Sequence, residues 1–147
     1  MLIDMPLAEM KSYLGSSPRP EDFDRYWADS LAELEATPPE LELTPAKFQA
    51  PNAECFDLRF TGTGGARVYA KLLRPVKTAG KHPAVVQFHG YSGNSGDWSD
   101  KLSYVNAGFT VASLDVRGQG GLSQDVTPVT GTTLRGHIIP YLYFSKL

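Results

Sequence analysis

Residues 83–98 constrain the fold of this chain more than any other stretch of the sequence. The five residues from Ala84 to Phe88 are mostly apolar, which is typical of a parallel strand covered on both faces. The turn that follows contains three glycines, which adopt backbone angles that other residues resist: Gly90, Gly93 and Gly96. Three apolar residues then recur at helical spacing before Gly108: Trp98, Leu102 and Val105. The stretch therefore predicts a strand, a tight turn and a helix in succession.

The predicted turn suggests a binding site for an anion. A helix N-terminus that follows a strand and a glycine-rich turn presents main-chain N–H groups to negative charge. Preorganised donors of this kind stabilise developing oxyanions, so we interpret the turn as part of an acyl-transfer site with the N–H of Tyr91 as one donor. An ordinary strand-to-helix connection without a ligand explains the same pattern equally well.

The first 53 residues are predicted to form a helical extension and a connector. Asp4, Pro6 and Gly15 frame a short helix. From Glu21 to Ala36, apolar residues at three- and four-residue steps predict an amphipathic helix: Phe23, Tyr26, Trp27, Leu31 and Leu34. We expect this face to pack against a core, although its aromatic residues would also suit a sugar-binding platform. Residues 37–53 are rich in proline and predict an irregular connector.

Residues 54–139 are predicted to contain a sheet. Apolar and polar residues alternate in 54–60 and again in 66–74, around a glycine-rich turn, which indicates an antiparallel hairpin. Residues 109–114 form a second buried run, and together with the strand at 84–88 and the helix between them they predict a right-handed parallel crossover. The predicted fold class is therefore α/β, with N-terminal helices, a hairpin and a βαβ unit.

Length and composition exclude several classes of protein. The 147 residues suffice for one domain with its own core and are too few for two. A net charge of −2 gives no electrostatic reason to expect nucleic acid or an anionic membrane as partner. The single cysteine, Cys55, cannot form an internal disulfide, and the sequence shows no Cys/His cluster for zinc. We expect no metal or other cofactor. The N-terminus lacks a signal-peptide pattern, so a cytoplasmic location is expected.

The loop after the second buried strand, residues 115–121, contains a charged side chain and three glycines. Arg117 could bind an acidic substrate, but we favour an ion pair with one of three carboxylates: Asp97, Asp100 or Asp115. The glycines only weakly match a dinucleotide-binding turn, because the spacing of that motif is not met and no helix obviously follows.

Several segments together resemble the acetyl xylan esterase and cephalosporin-C deacetylase family. They occur in the family's order and spacing over about residues 4–138: Asp22–Trp27, Phe88–Gly93, Ser95–Trp98, Ala107–Phe109, Leu114–Gly121 and Arg135–Ile138. The resemblance implies an α/β-hydrolase that removes acetyl groups from small carbohydrate esters with a serine, a histidine and an aspartate and without metal. It also implies a homo-oligomer, often ring-shaped, and the main-chain N–H of Tyr91 as an oxyanion-hole donor.

The sequence departs from this family where the nucleophile is needed. A Gly-x-Ser-x-Gly motif is absent, and Ser123 fails because Asp125 stands in place of the last glycine. Ser92 and Ser95 do not lie at the centre of such a motif either. His89 is expected to be a structural hydrogen bonder, and two further histidines do not match the catalytic one: His82 and His137. We therefore expect the nucleophile, acid and base downstream of Leu147, and little or no activity from these residues alone.

Residues 140–147 diverge from the family, so the domain is predicted to be incomplete, with a tail that would suit a frameshifted, prematurely stopped or miscalled gene. A short paralogue is the other explanation. Without the nucleophile strand, the strand at 84–88 is left at a sheet edge, and we expect self-association or partial order. The alternative to an esterase is a non-catalytic binding or assembly fragment that uses this edge and the aromatic residues Trp27 and Trp98.

Overall fold

The computed structural model of the chain describes residues 4–77 and 80–126. The Arg135–Ile138 segment, His137 and the 140–147 tail lie outside the described residues. The chain divides into two compact units, Met1–Glu33 and Leu34–Leu147. That all 147 residues belong to a single incomplete domain stays a prediction.

The two predicted helices are present as α1 (Leu7–Met10) and α2 (Phe23–Ala36). Helix α2 ends two residues before the Pro38–Pro39 pair, which cannot continue it. Its aromatic side chains contact one another, with ring centroids 6.2 Å apart for Phe23 and Trp27 and 5.6 Å for Tyr26 and Trp27. No α2 residue is buried, and the expectation that this face packs against a core stays a prediction. Periodicity shows which face of a helix is apolar, but it does not supply the surface that covers that face.

The described residues of the second part form a five-stranded mixed sheet with the order β1-β2-β3-β5-β4. Its strands are β1 (Glu42–Pro45), β2 (Ala53–Thr61), β3 (Arg67–Pro75), β4 (Ala84–Phe88) and β5 (Thr110–Leu114). The pairs β1–β2, β2–β3 and β3–β5 are antiparallel, whereas the pair β4–β5 is parallel. The predicted hairpin is β2–β3, and the predicted parallel crossover joins β4 to β5.

Strand β1 corrects the predicted irregular connector. Residues 42–45 pair with β2, and Leu43 lies opposite Leu58. Proline is tolerated in an edge strand because its missing N–H can face away from the neighbour, so the proline content of this segment did not exclude a strand.

The core lies on one face of the sheet. It contains the buried residues Ala46, Ala53, Cys55, Leu73, Val105 and Val111. Val105 comes from the short helix α3 (Leu102–Asn106), which therefore covers this face. Cys55 is 1% exposed, as expected for a small apolar residue, and burial raises the pKa of its thiol.

Candidate active site

The parallel strands β4 and β5 end at the same side of the sheet, and a loop follows each strand. Open α/β sheets bind their ligands at this side. The β4 loop contains a tight turn in which the Gly93 N–H donates to the Gly90 carbonyl at 3.0 Å. Tyr91 occupies the second position of this turn, and Ser92 the third with a φ of 57°. A positive φ at the third position is typical of a type II turn.

The role of the Tyr91 N–H as an oxyanion-hole donor stays a prediction, and the helix expected after the glycine-rich turn begins later than predicted. Residues 91–98 are irregular, a single 3₁₀ turn covers Ser99–Lys101, and α3 is only five residues long. The helical segment predicted between Gly96 and Gly108 is therefore present, but it begins at Ser99, so no helix N-terminus lies directly at the Gly90–Gly93 turn. The Asp97 carboxylate instead accepts hydrogen bonds from the N–H and hydroxyl of Ser99, both at 3.0 Å, and these bonds lower the pKa of Asp97.

Asp115 joins the two loops and is the residue whose role the sequence did not reveal. Its side chain is fully buried at the end of β5, in a residue only 2% exposed. One carboxylate oxygen accepts the Ser95 N–H at 2.6 Å, and the other accepts the Leu122 N–H at 2.8 Å. The only sequence signal was an aspartate at the end of a buried strand before a glycine-rich loop. Its main partner, Ser95, lies 20 residues away in the chain.

Two further side chains fix the tight turn. The Gln119 amide oxygen accepts the Ser92 N–H at 2.6 Å. His89 Nε2 accepts the Val116 N–H at 2.9 Å, which places the ring proton of the neutral imidazole on Nδ1. Nδ1 then donates to the Gly90 carbonyl oxygen, which lies 2.7 Å away. The prediction that His89 is a structural hydrogen bonder is confirmed. The turn is therefore held from the β5 loop on one side and from the end of β4 on the other.

The glycines of the β5 loop allow the two loops to approach closely. A Cβ on Gly120 would lie 2.7 Å from the Gly93 carbonyl oxygen. A Cβ on Gly121, which has a φ of +105°, would lie 2.2 Å from a carboxylate oxygen of Asp115. These contacts explain Gly120 and Gly121 by packing alone, without the phosphate that a dinucleotide turn would bind.

Arg117 does not pair with any of the three predicted carboxylates. One guanidinium nitrogen donates to the Thr63 carbonyl at 3.0 Å, and another lies 3.4 Å from a carboxylate oxygen of Asp125. The predicted pairing with Asp97, Asp100 or Asp115 is therefore wrong. Asp115 is already occupied by main-chain N–H groups, and Arg117 instead fixes the β5 loop to the turn between β2 and β3.

Neither Ser123 nor Ser95 has the geometry of an activated nucleophile. The Ser123 hydroxyl accepts the Tyr69 N–H at 2.8 Å and donates to the Asp115 carbonyl. Ser95 is 4% exposed, and its carbonyl accepts the Ser113 hydroxyl at 3.1 Å. His82 contacts the Thr110 hydroxyl at 2.6 Å.

Among residues 4–77 and 80–126, no cluster of His, Cys, Asp or Glu could hold a metal ion, and no helix is long and apolar enough to cross a membrane.

The ammonium groups of two lysines, Lys71 and Lys101, lie near Gly96. Lys71 donates to the Gly96 carbonyl, and its ammonium lies 5.5 Å from the centre of the Trp98 ring. Lys101 is 4% exposed, and burial lowers the pKa of its ammonium, although the Asp100 carboxylate 3.8 Å away opposes the effect. Trp98 also stacks on Phe48 at a centroid distance of 6.1 Å. Its packing against the core makes it a poor sugar platform.

Comparisons with known proteins identify the family of this chain. The family model for acetyl xylan esterase (AXE1) matches residues 1–143. The crystal structure of acetyl xylan esterase 1 from Thermoanaerobacterium sp. JW/SL YS485 is 58% identical, with a TM-score of 0.87 over 97% of this chain and 44% of that chain. The acetyl xylan esterase from Paenibacillus sp. R4 is 26% identical, with a TM-score of 0.73 over 86% of this chain and 41% of that chain.

A more distant relative shares only a segment. Dipeptidyl-peptidase 5 from Schizosaccharomyces pombe is 35% identical over 80 residues, which cover 48% of this chain and 11% of that protein. The chain thus spans less than half the length of each of these three proteins. The solved structures confirm the predicted fold class, the opening part of an α/β-hydrolase.

Proposed function

Because this chain belongs to the acetyl xylan esterase family, we propose that it supplies the oxyanion-stabilising part of a carboxylic ester hydrolase. The observation that carries the proposal is the Gly90–Gly93 turn at the carboxyl end of β4, fixed by Gln119 and His89. A turn held in this way is preorganised, which is what stabilisation of an oxyanion requires, because no energy is then spent on ordering donors during the reaction.

The proposed substrates are acetylated xylo-oligosaccharides and related small acetyl esters such as cephalosporin C. A serine alkoxide attacks the acetyl carbonyl carbon, and the carbonyl oxygen becomes a tetrahedral oxyanion that the Tyr91 N–H stabilises. The oxyanion then collapses, the leaving sugar oxygen takes the proton that the histidine had removed from the serine, and water releases acetate from the acyl-enzyme. The donor is a main-chain group, so the phenol ring of Tyr91 is not required for this step.

The catalytic serine, aspartate and histidine are proposed to come from sequence downstream of Leu147. We also propose that the complete fold forms a homo-oligomer, which light scattering would test. The cytoplasmic location stays a prediction.

A single-polypeptide chimera tests the proposal. Residues 1–126 of this chain are joined to the corresponding downstream part of the Thermoanaerobacterium esterase, and hydrolysis of p-nitrophenyl acetate and release of acetate from acetylated xylo-oligosaccharide are measured. We expect hydrolysis by the chimera and no more than a trace by the 147-residue chain. A chimera that unfolds cooperatively but hydrolyses no acetyl ester would contradict the proposal.

A further inference from the structure

Ser92, the third residue of the Gly90–Gly93 turn, has a backbone conformation that serine ordinarily avoids. Its φ is 57°, and among the described residues only one other non-glycine residue, Glu40, has a positive φ. The left-handed region is unfavourable for residues with a Cβ, so such a conformation persists only where its surroundings enforce it. The Ser92 side chain is exposed, so packing does not enforce it. The cause therefore lies in a specific contact of the main chain.

The turn is compatible with a second form in which Ser92 is not strained. Type I and type II turns share the hydrogen bond from the fourth residue to the first, here from the Gly93 N–H to the Gly90 carbonyl. They differ in the orientation of the central peptide, which here joins Tyr91 to Ser92. In type I the third residue has a negative φ, which serine adopts readily, whereas type II favours glycine at this position. The Gly90–Gly93 bond therefore does not decide between the two forms.

Gln119 supplies the contact that distinguishes the two forms. Its side-chain oxygen accepts the Ser92 N–H at 2.6 Å, and this N–H belongs to the central peptide of the turn. Rotation of that peptide to the type I form would carry the N–H away from Gln119 and break the bond. The β5 loop positions the acceptor, because the Gln119 N–H donates to the Val116 carbonyl at 3.3 Å. The two loops are in close contact here, since a Cβ on Gly120 would lie 3.1 Å from the Ser92 carbonyl oxygen.

We propose that Gln119 is a positioning residue for ester hydrolysis, because it selects the type II form of the turn in which the Tyr91 N–H acts as the oxyanion donor. The positioning role rests on the proposed function, whereas the selection of the turn form does not. The donor and the rotating carbonyl both belong to Tyr91, so rotation moves a partial negative charge across the turn beside the donor. Oxyanions are stabilised by dipoles that have one orientation before the reaction begins, and a turn that interconverts lacks that property.

Two substitutions separate the contact from the strain. Gln119→Ala removes the acceptor, and the cost of the left-handed conformation then favours type I by about five- to thirtyfold. Ser92→Gly removes that cost, since glycine adopts positive and negative φ about equally readily. In the double variant, about half of the molecules should therefore have the type II form without Gln119. A role of Gln119 outside the turn does not predict this recovery.

NMR of the 147-residue chain measures the form of the turn. The α proton of the second residue lies close to the amide proton of the third in type II, whereas the two amide protons lie close together in type I. We expect the parent chain to show a strong cross-peak between the Tyr91 α proton and the Ser92 amide proton. Gln119→Ala should show a strong Tyr91–Ser92 amide cross-peak instead, and the double variant should regain the first cross-peak.

Two further variants serve as controls for the turn form. Gln119→Glu keeps an acceptor for the Ser92 N–H and should keep the type II cross-peak. Asn94→Ala removes another side-chain acceptor from the same loop, because the Asn94 amide oxygen accepts the Gly96 N–H at 2.8 Å, and it should leave the turn unchanged. Cooperative unfolding of each variant checks that folded chains are compared.

Kinetics of the single-chain chimera measure the consequence for hydrolysis. We expect Gln119→Ala to lower kcat for p-nitrophenyl acetate by about five- to thirtyfold, the factor by which the type II form is depleted. KM should stay within about twofold, because the oxyanion forms only in the transition state. With Ser92→Gly present, Gln119→Ala should lower kcat by no more than about twofold. Asn94→Ala should stay within about twofold of the parent chimera.

Three results would overturn the proposal. Gln119→Ala could keep the type II cross-peak at parental intensity, which would show that other contacts enforce the positive φ of Ser92. Its kcat could fall without recovery in the double variant, which would assign Gln119 a different role. Its kcat could also equal that of an active parent chimera, which contradicts the positioning role alone. An inactive parent chimera, together with the expected change of turn form in the chain, contradicts the proposed function alone.

Discussion

Removing the Asp115 carboxylate should destabilise the sheet unit by breaking the connection between its two loops. Asp115→Ala leaves two main-chain N–H groups without their acceptor, those of Ser95 and Leu122. The Ser95 group is buried, in a residue 4% exposed, and an unsatisfied buried donor costs about 1–3 kcal/mol. Leu122 is exposed, so water replaces its acceptor and the loss is about 0.5–1.5 kcal/mol. The free energy of unfolding should therefore fall by about 1.5–4.5 kcal/mol.

Asp115→Asn refines this prediction. The amide keeps one oxygen, which can accept the buried Ser95 N–H, while its NH₂ group faces the Leu122 N–H. The expected loss is therefore only the smaller contribution, about 0.5–1.5 kcal/mol. The order of stability should be parent chain, then Asp115→Asn, then Asp115→Ala.

Urea unfolding followed by tryptophan fluorescence measures these differences as shifts in midpoint at constant slope. Glu54→Ala is the control, because Glu54 pairs with Arg74 at 3.0 Å with both side chains about half exposed, and such surface pairs contribute about 0–1 kcal/mol. The reasoning would be refuted if Asp115→Ala lost no more stability than Glu54→Ala. It would also be refuted if amide exchange at Ser95 were as slow in Asp115→Ala as in the parent chain.

Two further predictions concern the same loops. Gly121→Ala should lose more stability in urea unfolding than Gly108→Ala, because both have positive φ but only at Gly121 would the new Cβ meet the Asp115 carboxylate; equal losses would contradict the packing argument. Burial lowers the pKa of Lys101 in the folded chain below the ordinary value of 10.5, which applies to the unfolded chain. At a pH between the folded and the unfolded pKa, the unfolded state therefore binds more protons than the folded state. The unfolding free energy of the parent chain relative to Lys101→Met should therefore rise as pH increases towards 10.5, and a fall would show the opposite shift.

The strands were predictable because their signals are local. Strands β2 to β5 were placed within a residue or two, since alternation and apolar runs depend only on neighbouring residues. Strand β1 was missed because its pairing with β2, not its composition, makes it a strand. Helix α3 was predicted too long, since periodicity does not register that Ser95 is held by Asp115 or that Asp97 caps Ser99.

The site was predictable only in part, because several of its contacts join residues that are far apart in the sequence. The family resemblance located the turn at Tyr91, and it implied a catalytic histidine far downstream, which left a structural role for His89. The partner of Arg117 was chosen among carboxylates near the strand ends, but the bond to Thr63 spans 54 residues. The Asp115–Ser95 bond likewise joins two loops that only the folded sheet brings together.

The central claim is that the Tyr91 main-chain N–H stabilises the oxyanion of ester hydrolysis. In the single-chain chimera, Tyr91→Pro removes this N–H while proline remains favourable at the second position of the turn. We expect Tyr91→Pro to lower kcat for p-nitrophenyl acetate by about two to three powers of ten, whereas Tyr91→Ala, which keeps the donor, stays within about tenfold of the parent chimera. Equal kcat values for a folded Tyr91→Pro chimera and the Tyr91→Ala chimera would contradict the account.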